Sequence, residues 1–579
     1  MNSNLPNAPF QNLALSLSGG GYRAASFHLG LMTYLSSAYW RGKTLLERIH
    51  IISTVSGGTF TGVCYATTIA EGNTMKECYV KMYRLMSDVD LIGEGLKKLA
   101  DYNSWKTLKS RSLINAISLV YYEKFEKNTF SVLFDHNSHL KEIIFNSTEF
   151  TYGLPFRFQK TMLDDRENNY ANLGNRQVNM PLEAEKEIRL ADIVAASSCF
   201  PMGFEPINFP EDFRYNQSKA LNKLKESHEE DQWGRKCKLP VGLMDGGIVD
   251  NQGIDSVIWA EIRMREYKGK LKQFASEDEK AIDLYVISDV ASPYMDSYVK
   301  TEEKPFKKWR KWSFKKFTGF GLIFMATGLL TTYLAFKSHK PAGLFITGFF
   351  AAIFFLFSGL SFFLSNIFEW FLKKFNVPDF FMKKLHGFTS LKFGVFETLI
   401  KNRISSVQSM VSEVFMKQVR RQEYARVYND KAWKSRLMMN AIYELTYDQT
   451  KYRNAIEKDL ISEELKNTSH ILIETAEKAK SMSTTLWFTS EELKDDLNKH
   501  RSMLNTLIAC GQFTGCFNLL EYIEKVLWNK ENKEAYDSYS TALDSDIWDL
   551  YNELLSDWHK FNDNPYWMLD KYNSSVGIK

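Results

Sequence analysis

The stretch Arg48-Ile-His-Ile-Ile-Ser-Thr-Val-Ser-Gly-Gly-Thr-Phe-Thr-Gly-Val-Cys-Tyr-Ala-Thr-Thr-Ile-Ala70 passes without a break from an apolar run into a string of small residues. Its first half reads as a buried strand, and its second half can open a helix directly behind it. Strand, sharp turn and helix are the parts of a nucleophile elbow, which exposes one serine hydroxyl at the carboxyl end of a sheet. Ser56 is the serine so placed, and Gly57 and Gly58 let strand and helix approach closely. Thr54 stands where G-x-S-x-G has its first glycine, so the match is partial. Ser-Gly-Gly is also common in ordinary loops, and this segment alone leaves that reading open.

Upstream, Leu13, Leu15 and Leu17 alternate as in a strand until Gly19, Gly20 and Gly21 interrupt them. Tyr22 to Ala38 can then run as a helix with Leu29, Met32 and Leu35 facing inward. Consecutive glycines reach backbone angles closed to other residues, so their amides can converge on one anion at a helix N-terminus. Such a cradle could hold a nucleotide phosphate, but G-x-x-x-x-G-K-[ST] is absent and the G-x-G-x-x-G spacing fails. One βα unit before a serine elbow, an oxyanion hole is the better reading, because an acyl-transfer nucleophile needs donors aimed at the tetrahedral oxygen. A third piece, Val241-Gly-Leu-Met-Asp-Gly-Gly-Ile-Val-Asp-Asn-Gln-Gly253, sets Asp245 at the end of an apolar run before a tight glycine turn. A carboxylate held there can take the serine proton, adequately for an alcohol leaving group. Asp245 opening an Asx turn is the alternative.

Taken together these segments resemble the patatin-like phospholipases, a family that in turn resembles the catalytic core of cytosolic phospholipase A2. The glycine-rich G-G-G-x-R motif corresponds to Gly19-Gly-Gly-Tyr-Arg23, the serine elbow to Ser56-Gly-Gly58, and D-G-G to Asp245-Gly-Gly247. A fourth segment, Ala195-Ala-Ser-Ser-Cys-Phe-Pro-Met-Gly-Phe-Glu-Pro206, resembles the stretch A-S-x-x-x-P-x-x-F-x-P that precedes the aspartate. The departures are Thr54 and the lack of a proline in Asp250-Asn-Gln-Gly253 after the glycine turn. The resemblance covers about residues 10–300 and implies an α/β, three-layer sheet-and-helix hydrolase core. It also implies a Ser-Asp dyad: Ser56 as nucleophile and Asp245 as its base, acting on lipid acyl esters without calcium, with no cofactor and no metal. The oxyanion hole would come from the glycine amides, chiefly Gly20 and Gly21 with Gly19 and Gly57 beside them. Gly246 and Gly247 would support the aspartate, and Arg23 would brace the glycine loop or face a lipid phosphate. A histidine-dependent triad is the competing chemistry. His28 falls on the first helix and His50 before the elbow, and none of the ten histidines sits in a recognisable Asp-then-His order with supporting glycines.

Outside the motifs, Phe317 to Phe336 and Pro341 to Phe368 contain no charged residue. Each is long enough to cross a hydrocarbon core of roughly 30 Å as a helix. Only Lys337-Ser-His-Lys-Pro341 separates them, which reads as a transmembrane hairpin; a buried helical pair of a soluble protein is the alternative. Lys304, Lys307, Lys308, Arg310, Lys311, Lys315 and Lys316 precede it, with Trp309 and Trp312 interleaved, and Lys373, Lys374, Lys383 and Lys384 follow, with Trp370 nearby. More basic flanks than turn put both ends, and the catalytic domain, on the cytoplasmic side of the membrane. Lysines beside a span suit anionic lipid headgroups rather than nucleic acid, and a net charge of +4 on 579 residues is too small for a general polyanion binder.

The expected organisation is a catalytic domain over 1–300, a basic segment and hairpin over 301–385, and a helical region over 386–579 that completes the catalytic domain. Ala281 to Asp289 reads as a further strand. Ile404, Val407, Val411, Val414 and Val419 make an apolar stripe on a long helix from about Arg403 to Tyr428, expected to pack on the sheet. Lys223 to Lys238 reads as a polar surface loop. The N-terminus has no basic and apolar signal regions, so export is not expected. Six scattered cysteines without a C-x-x-C pair fit a reduced compartment without structural zinc. The sequence thus points to a membrane-anchored hydrolase of phospholipids or lysophospholipids. It also admits a catalytically weak lipid-binding or signalling module of the same fold, or a general carboxylesterase.

Overall fold

The computed structural model describes residues 9–105, 109–134, 138–161, 170–175, 178–201, 203–224, 239–270, 282–290, 311–337, 341–374, 392–457, 460–485, 487–495, 501–528 and 541–578. Most of the expected polar loop at 223–238, and Lys304, Lys307, Lys308, Trp309, Arg310, Lys383 and Lys384, lie outside these residues. The chain divides into two compact units, Met1–Tyr294 with Phe415–Lys579, and Met295–Val414.

The first unit is built on a ten-stranded mixed sheet. Its strands are β1 (Leu13–Leu17), β2 (Ile49–Val55), β3 (Glu142–Glu149), β4 (Leu154–Thr161), β5 (Tyr170–Asn175), β6 (Val178–Pro181), β7 (Ile207–Phe209), β8 (Val241–Asp245), β9 (Leu284–Asp289) and β10 (Leu437–Ala441). The order is β10-β9-β1-β2-β3-β4-β5-β6, parallel from β10 through β3 and antiparallel beyond, while β8 pairs antiparallel with β3 and β7 with β8. Alternation along the strands sorts their side chains to two faces. Leu13, Leu15, Leu17, Leu284 and Val286 belong to the larger core with the helices α1 (Gly21–Leu35) and α2 (Gly57–Ala70). Ala14, Tyr285 and Ile287 belong to a smaller core on the other face, closed by Ile254, Val257 and Ile258 of α3 (Ile254–Lys270) and by Val427 of a later helix. Helices on both faces of the sheet are what a mainly parallel arrangement demands, and the α/β reading holds.

The C-terminal third contributes to this unit rather than standing apart. β10 lengthens the parallel edge beside β9. A helix at Met503–Tyr522 crosses α1 so closely that a Cβ on Gly30 would lie 2.0 Å from the Ile508 carbonyl oxygen, and one on Gly511 would lie 2.0 Å from that of Phe27. α1 is thereby sealed, and of its residues only Arg23 is not fully buried.

In the second unit α4 (Phe314–Lys337) and α5 (Pro341–Lys374) pack against each other where phenylalanines fill glycine notches, Phe362 over Gly321 and Phe355 over Gly328. Both are long and apolar enough to cross a membrane, and few of their residues in those windows are buried. α6 (Phe393–Ser409) follows. The expected stripe does not pack on the sheet along its whole length: Ile404, Val407 and Val414 are exposed and belong to the second unit. Only from α7 (Met416–Asn429), beyond a π-helical turn at Met410–Phe415, does the helix join the first unit, because the polar and aromatic side chains that meet the sheet begin there.

Candidate active site

The register of β3 decides how two distant residues meet. Along one edge, β2 pairs in parallel up to Val55 opposite Asn146, and β8 arrives antiparallel with Asp245 opposite Ser147. Both strands end at the same point, so Ser56, the residue after Val55, and Asp245 are brought together from 189 positions apart (245 − 56).

Ser56 turns there with φ 50° and ψ −116°. A non-glycine residue in such a conformation is strained by about 1–3 kcal/mol and persists only where its surroundings over-determine it. They do so through hydroxyls. The Ser56 N–H donates to Ser197 Oγ at 2.9 Å, and Ser197 Oγ donates to the Asn146 carbonyl at 2.6 Å. Since the Ser197 proton is used, Thr59 Oγ1 donates to Ser197 at 2.8 Å and itself accepts from Thr54 Oγ1 at 3.0 Å. Thr54, the departure from the elbow motif, therefore has a role in fixing the elbow. Its methyl fits because Gly62 faces it: a Cβ there would lie 2.4 Å from Thr54 Cγ2.

Ser56 occupies the N-cap position of α2, where a serine side chain ordinarily accepts from the helix amides, yet it makes no such bond. Its hydroxyl lies beside the Asp245 carboxylate instead, near enough to favour the charged form. Asp245 is buried, its N–H donates to the Cys199 carbonyl at 2.9 Å, and its Oδ1 accepts from the Gly247 N–H at 2.7 Å. The Asx turn and the partnership with serine thus coexist. Burial pushes the Asp245 carboxyl up to about 6, against the opposing pull of Ser56 and of the hydrogen bond from Gly247. A base in this range is ionised at neutral pH and still basic enough to share a proton with an alcohol. Gly246 is needed because a Cβ would lie 2.5 Å from the Asn146 carbonyl oxygen.

The glycine loop lies against the elbow. Gly20 and Gly21 have φ of 146° and 63°, which only glycine adopts readily. A Cβ on Gly57 would lie 2.1 Å from the Gly21 carbonyl oxygen and 2.6 Å from its nitrogen. Among the described residues no protein acceptor takes the N–H of Gly20, Gly21 or Gly57, which leaves three donors beside the serine. Gly19 differs from expectation: its N–H donates to the Asn251 carbonyl at 3.0 Å, so it fastens the loop and is not an oxyanion donor. Arg23 also braces, its guanidinium donating to the carbonyls of Met482 at 2.6 Å and Val290 at 2.9 Å.

Neither His28 nor His50 is bonded to Ser56 or Asp245. His28 is buried, with Nε2 2.9 Å from the Ser18 carbonyl and Nδ1 2.8 Å from Ser288 Oγ. A carbonyl can only accept, so Nε2 carries the proton and Nδ1 receives one; burial lowers the imidazole to about 4. His50 Nδ1 is 3.0 Å from the His139 carbonyl, and burial lowers this ring to about 4 as well.

A mixed sheet carrying a strained serine at a strand–helix elbow, a glycine loop with open amides and a buried carboxylate is an arrangement of the kind that the class of α/β acyl hydrolases uses. Within that class, residues 15–258 match the family model of patatin-like phospholipase, so the chain carries a patatin-like domain, which at family level is that of a lipid acyl hydrolase. No curated protein matches the chain. Several supporting residues had no signal of their own in the sequence. Ser197 lay inside a motif that gave it no role, and Asn146, which donates to Ser53 Oγ and the Thr54 carbonyl and accepts from Ser256 Oγ, lies in no motif at all. Asn251, whose Oδ1 abuts both Gly19 and Gly247, lay in a stretch noted only for lacking proline.

Proposed function

We propose that this protein is a membrane-anchored lipid acyl hydrolase of the phospholipase A or lysophospholipase type, using Ser56 and Asp245 as a calcium-independent dyad. The observation that carries the reading is the unused N-cap: the Ser56 hydroxyl makes no bond to the helix amides, and strand register sets it beside the buried Asp245 carboxylate. In the proposed cycle Asp245 accepts the Ser56 proton as Oγ attacks an ester carbonyl. The negative charge on the tetrahedral oxygen falls to the amides of Gly20, Gly21 and Gly57, helped by the positive N-terminal end of α2. The protonated Asp245 then gives its proton to the departing lyso-lipid or alcohol oxygen. Water, deprotonated by the same carboxylate, attacks the acyl-serine; the ester bond to Oγ breaks, the fatty acid leaves, and the proton returns to Ser56.

Anchoring by α4 and α5 is supported by their length and exposed apolar surface. The lysines flanking them favour an arrangement with both flanks on the cytoplasmic side and in reach of anionic headgroups. The test is incubation of detergent-purified wild type, Ser56→Ala and Asp245→Asn with mixed phospholipids and lysophospholipids in chelator-containing buffer, with fatty acids and lyso-lipids quantified by mass spectrometry. Release by the wild type that both folded variants lose supports the dyad; equal release by Ser56→Ala overturns it.

A further inference from the structure

The glycine loop has a wall that the family match does not include. β9 ends at Asp289, which is fully buried, and the next residue, Val290, lies against the loop in three ways. Its N–H donates to Ser18 Oγ at 3.2 Å, its carbonyl accepts from Arg23, and its Cγ2 stands where a Cβ on Gly20 would be only 2.5 Å away. Whatever fixes Asp289 therefore fixes the peptide that packs on Gly20. Asp289 is held from α7: Tyr424 Oη donates to Oδ2 at 2.6 Å, and Arg420 Nε lies 2.8 Å from the same oxygen. Gln252 Nε2, 3.3 Å from that oxygen, ties in the segment whose Asn251 carbonyl holds the Gly19 N–H.

A carboxylate removed from water in this way is stable only while paired and hydrogen-bonded. With its partner missing, the buried charge would draw in water or move, and the strand end would move with it. We infer that Arg420 and Tyr424 are positioning residues for ester hydrolysis: by clamping Asp289 they hold Val290 against Gly20 and keep the loop amides aimed at the oxyanion. The inference rests on the proposed hydrolase reading. All three residues lie beyond residue 258, where the family match ends, and α7 is the helix with which the chain re-enters the first unit after residues 295–414. The clamp is thus an addition of this chain's own C-terminal part to the loop of the matched domain.

The experiment compares full-length, detergent-purified wild type with Tyr424→Phe, Arg420→Met and Arg420→Lys. Tyr424→Phe removes one hydroxyl and little packing. A misplacement of the order of an ångström lowers kcat by about 100-fold in well-positioned sites, so on a short-chain ester Arg420→Met should approach that loss. Tyr424→Phe should lose roughly a tenth of it, Arg420→Lys should recover part of the activity, and KM should stay within about twofold of wild type. Hydrogen exchange supplies the readout that needs no catalysis. Amides in a peptide spanning residues 17–24 should exchange faster in Tyr424→Phe and Arg420→Met, while those of the Met503–Tyr522 helix keep wild-type protection.

Wild-type kcat and wild-type loop exchange in both folded variants would overturn the clamp, as would uniform loss of protection throughout the first unit. If the wild type itself hydrolyses no ester, the hydrolase reading fails. The exchange comparison then still decides whether Arg420 and Tyr424 hold the loop.

Discussion

The elbow region and the α4–α5 pair invert each other's relation to water. Around Ser56 the chain buries hydroxyls and amides, with Ser53, Thr54, Thr59 and Ser197 at 0% exposure and Asn146 at 4%, each bonded to another. Along α4 and α5 it exposes apolar rings and branches, Phe336 at 83%, Phe345 at 78% and Leu356 at 72%. A buried polar group is tolerated when its partners are all present, whereas an exposed apolar surface of this extent marks a membrane or protein interaction site. The first region is specified by completeness of hydrogen bonding and is intolerant of single changes. The second is specified by bulk hydrophobicity and should tolerate apolar exchange but not charge.

The largest effect that would break this contrast is chemical. Ser56→Ala should lower lipid ester hydrolysis by on the order of 10⁴-fold or more, as loss of a serine nucleophile does, measured as fatty acid release by folded protein. Retained turnover would reduce the buried network to a structural feature.

On the apolar side, Leu330→Arg together with Leu356→Arg should cost about 5–7 kcal/mol of insertion, at about 2.5–3.5 kcal/mol for each buried charge. The protein should then shift from the detergent-requiring to the carbonate-extractable fraction, while Leu330→Phe with Leu356→Phe should not shift it. Extraction of the wild type by salt alone would end the membrane reading.

A smaller, pH-dependent effect sharpens the polar side. The Asp245 carboxyl is raised from 3.8 to about 6 in the folded protein, so between those values the native state binds more protons than the unfolded chain. Stability then falls as pH rises through this window, and the ionised carboxylate is a net cost above it. Asp245→Asn should therefore be inactive yet more stable than wild type at pH 7.5, by at most about 3 kcal/mol, with the difference vanishing towards pH 4 in denaturant titrations. The same ionisation should make kcat/KM fall below about pH 6.

The smallest effect tests Thr54. Gly62→Ala sets a Cβ against Thr54 Cγ2 and should destabilise by about 1–3 kcal/mol through overpacking. Thr54→Ser deletes that methyl but keeps the hydroxyl that reaches Thr59, so the double variant should regain most of the loss in thermal unfolding. No recovery would mean that Gly62 is needed for something other than Thr54.

Legibility followed locality. The strand, elbow and helix around Ser56 were readable because apolar runs and glycines act over a few residues, and so were the glycine loop, the Asp245 turn and the two apolar helices. The roles of individual amides were not. Gly19, Gly20 and Gly21 are alike in the sequence, and only the Asn251 carbonyl, from 232 positions away (251 − 19), withdraws Gly19 from them. The apolar stripe from Ile404 to Val419 was visible as periodicity, but periodicity carries no address, and all of it but Val419 joined the other unit.

By itself the sequence determined which groups this protein can use: a serine on a sharp turn, glycine amides, a carboxylate before two glycines, and two stretches long and apolar enough to cross a membrane. These follow from backbone sterics and hydrophobicity, which are properties of neighbouring residues. Only the tertiary structure decided that β2 and β8 end side by side on β3, that Ser197 and Asn146 hold the Ser56 backbone, and that Asp289, Arg420 and Tyr424 stand behind Gly20. Those outcomes depend on strand register and on burial, where a hydrogen bond is strong because water is excluded, and neither is set until the sheet has closed.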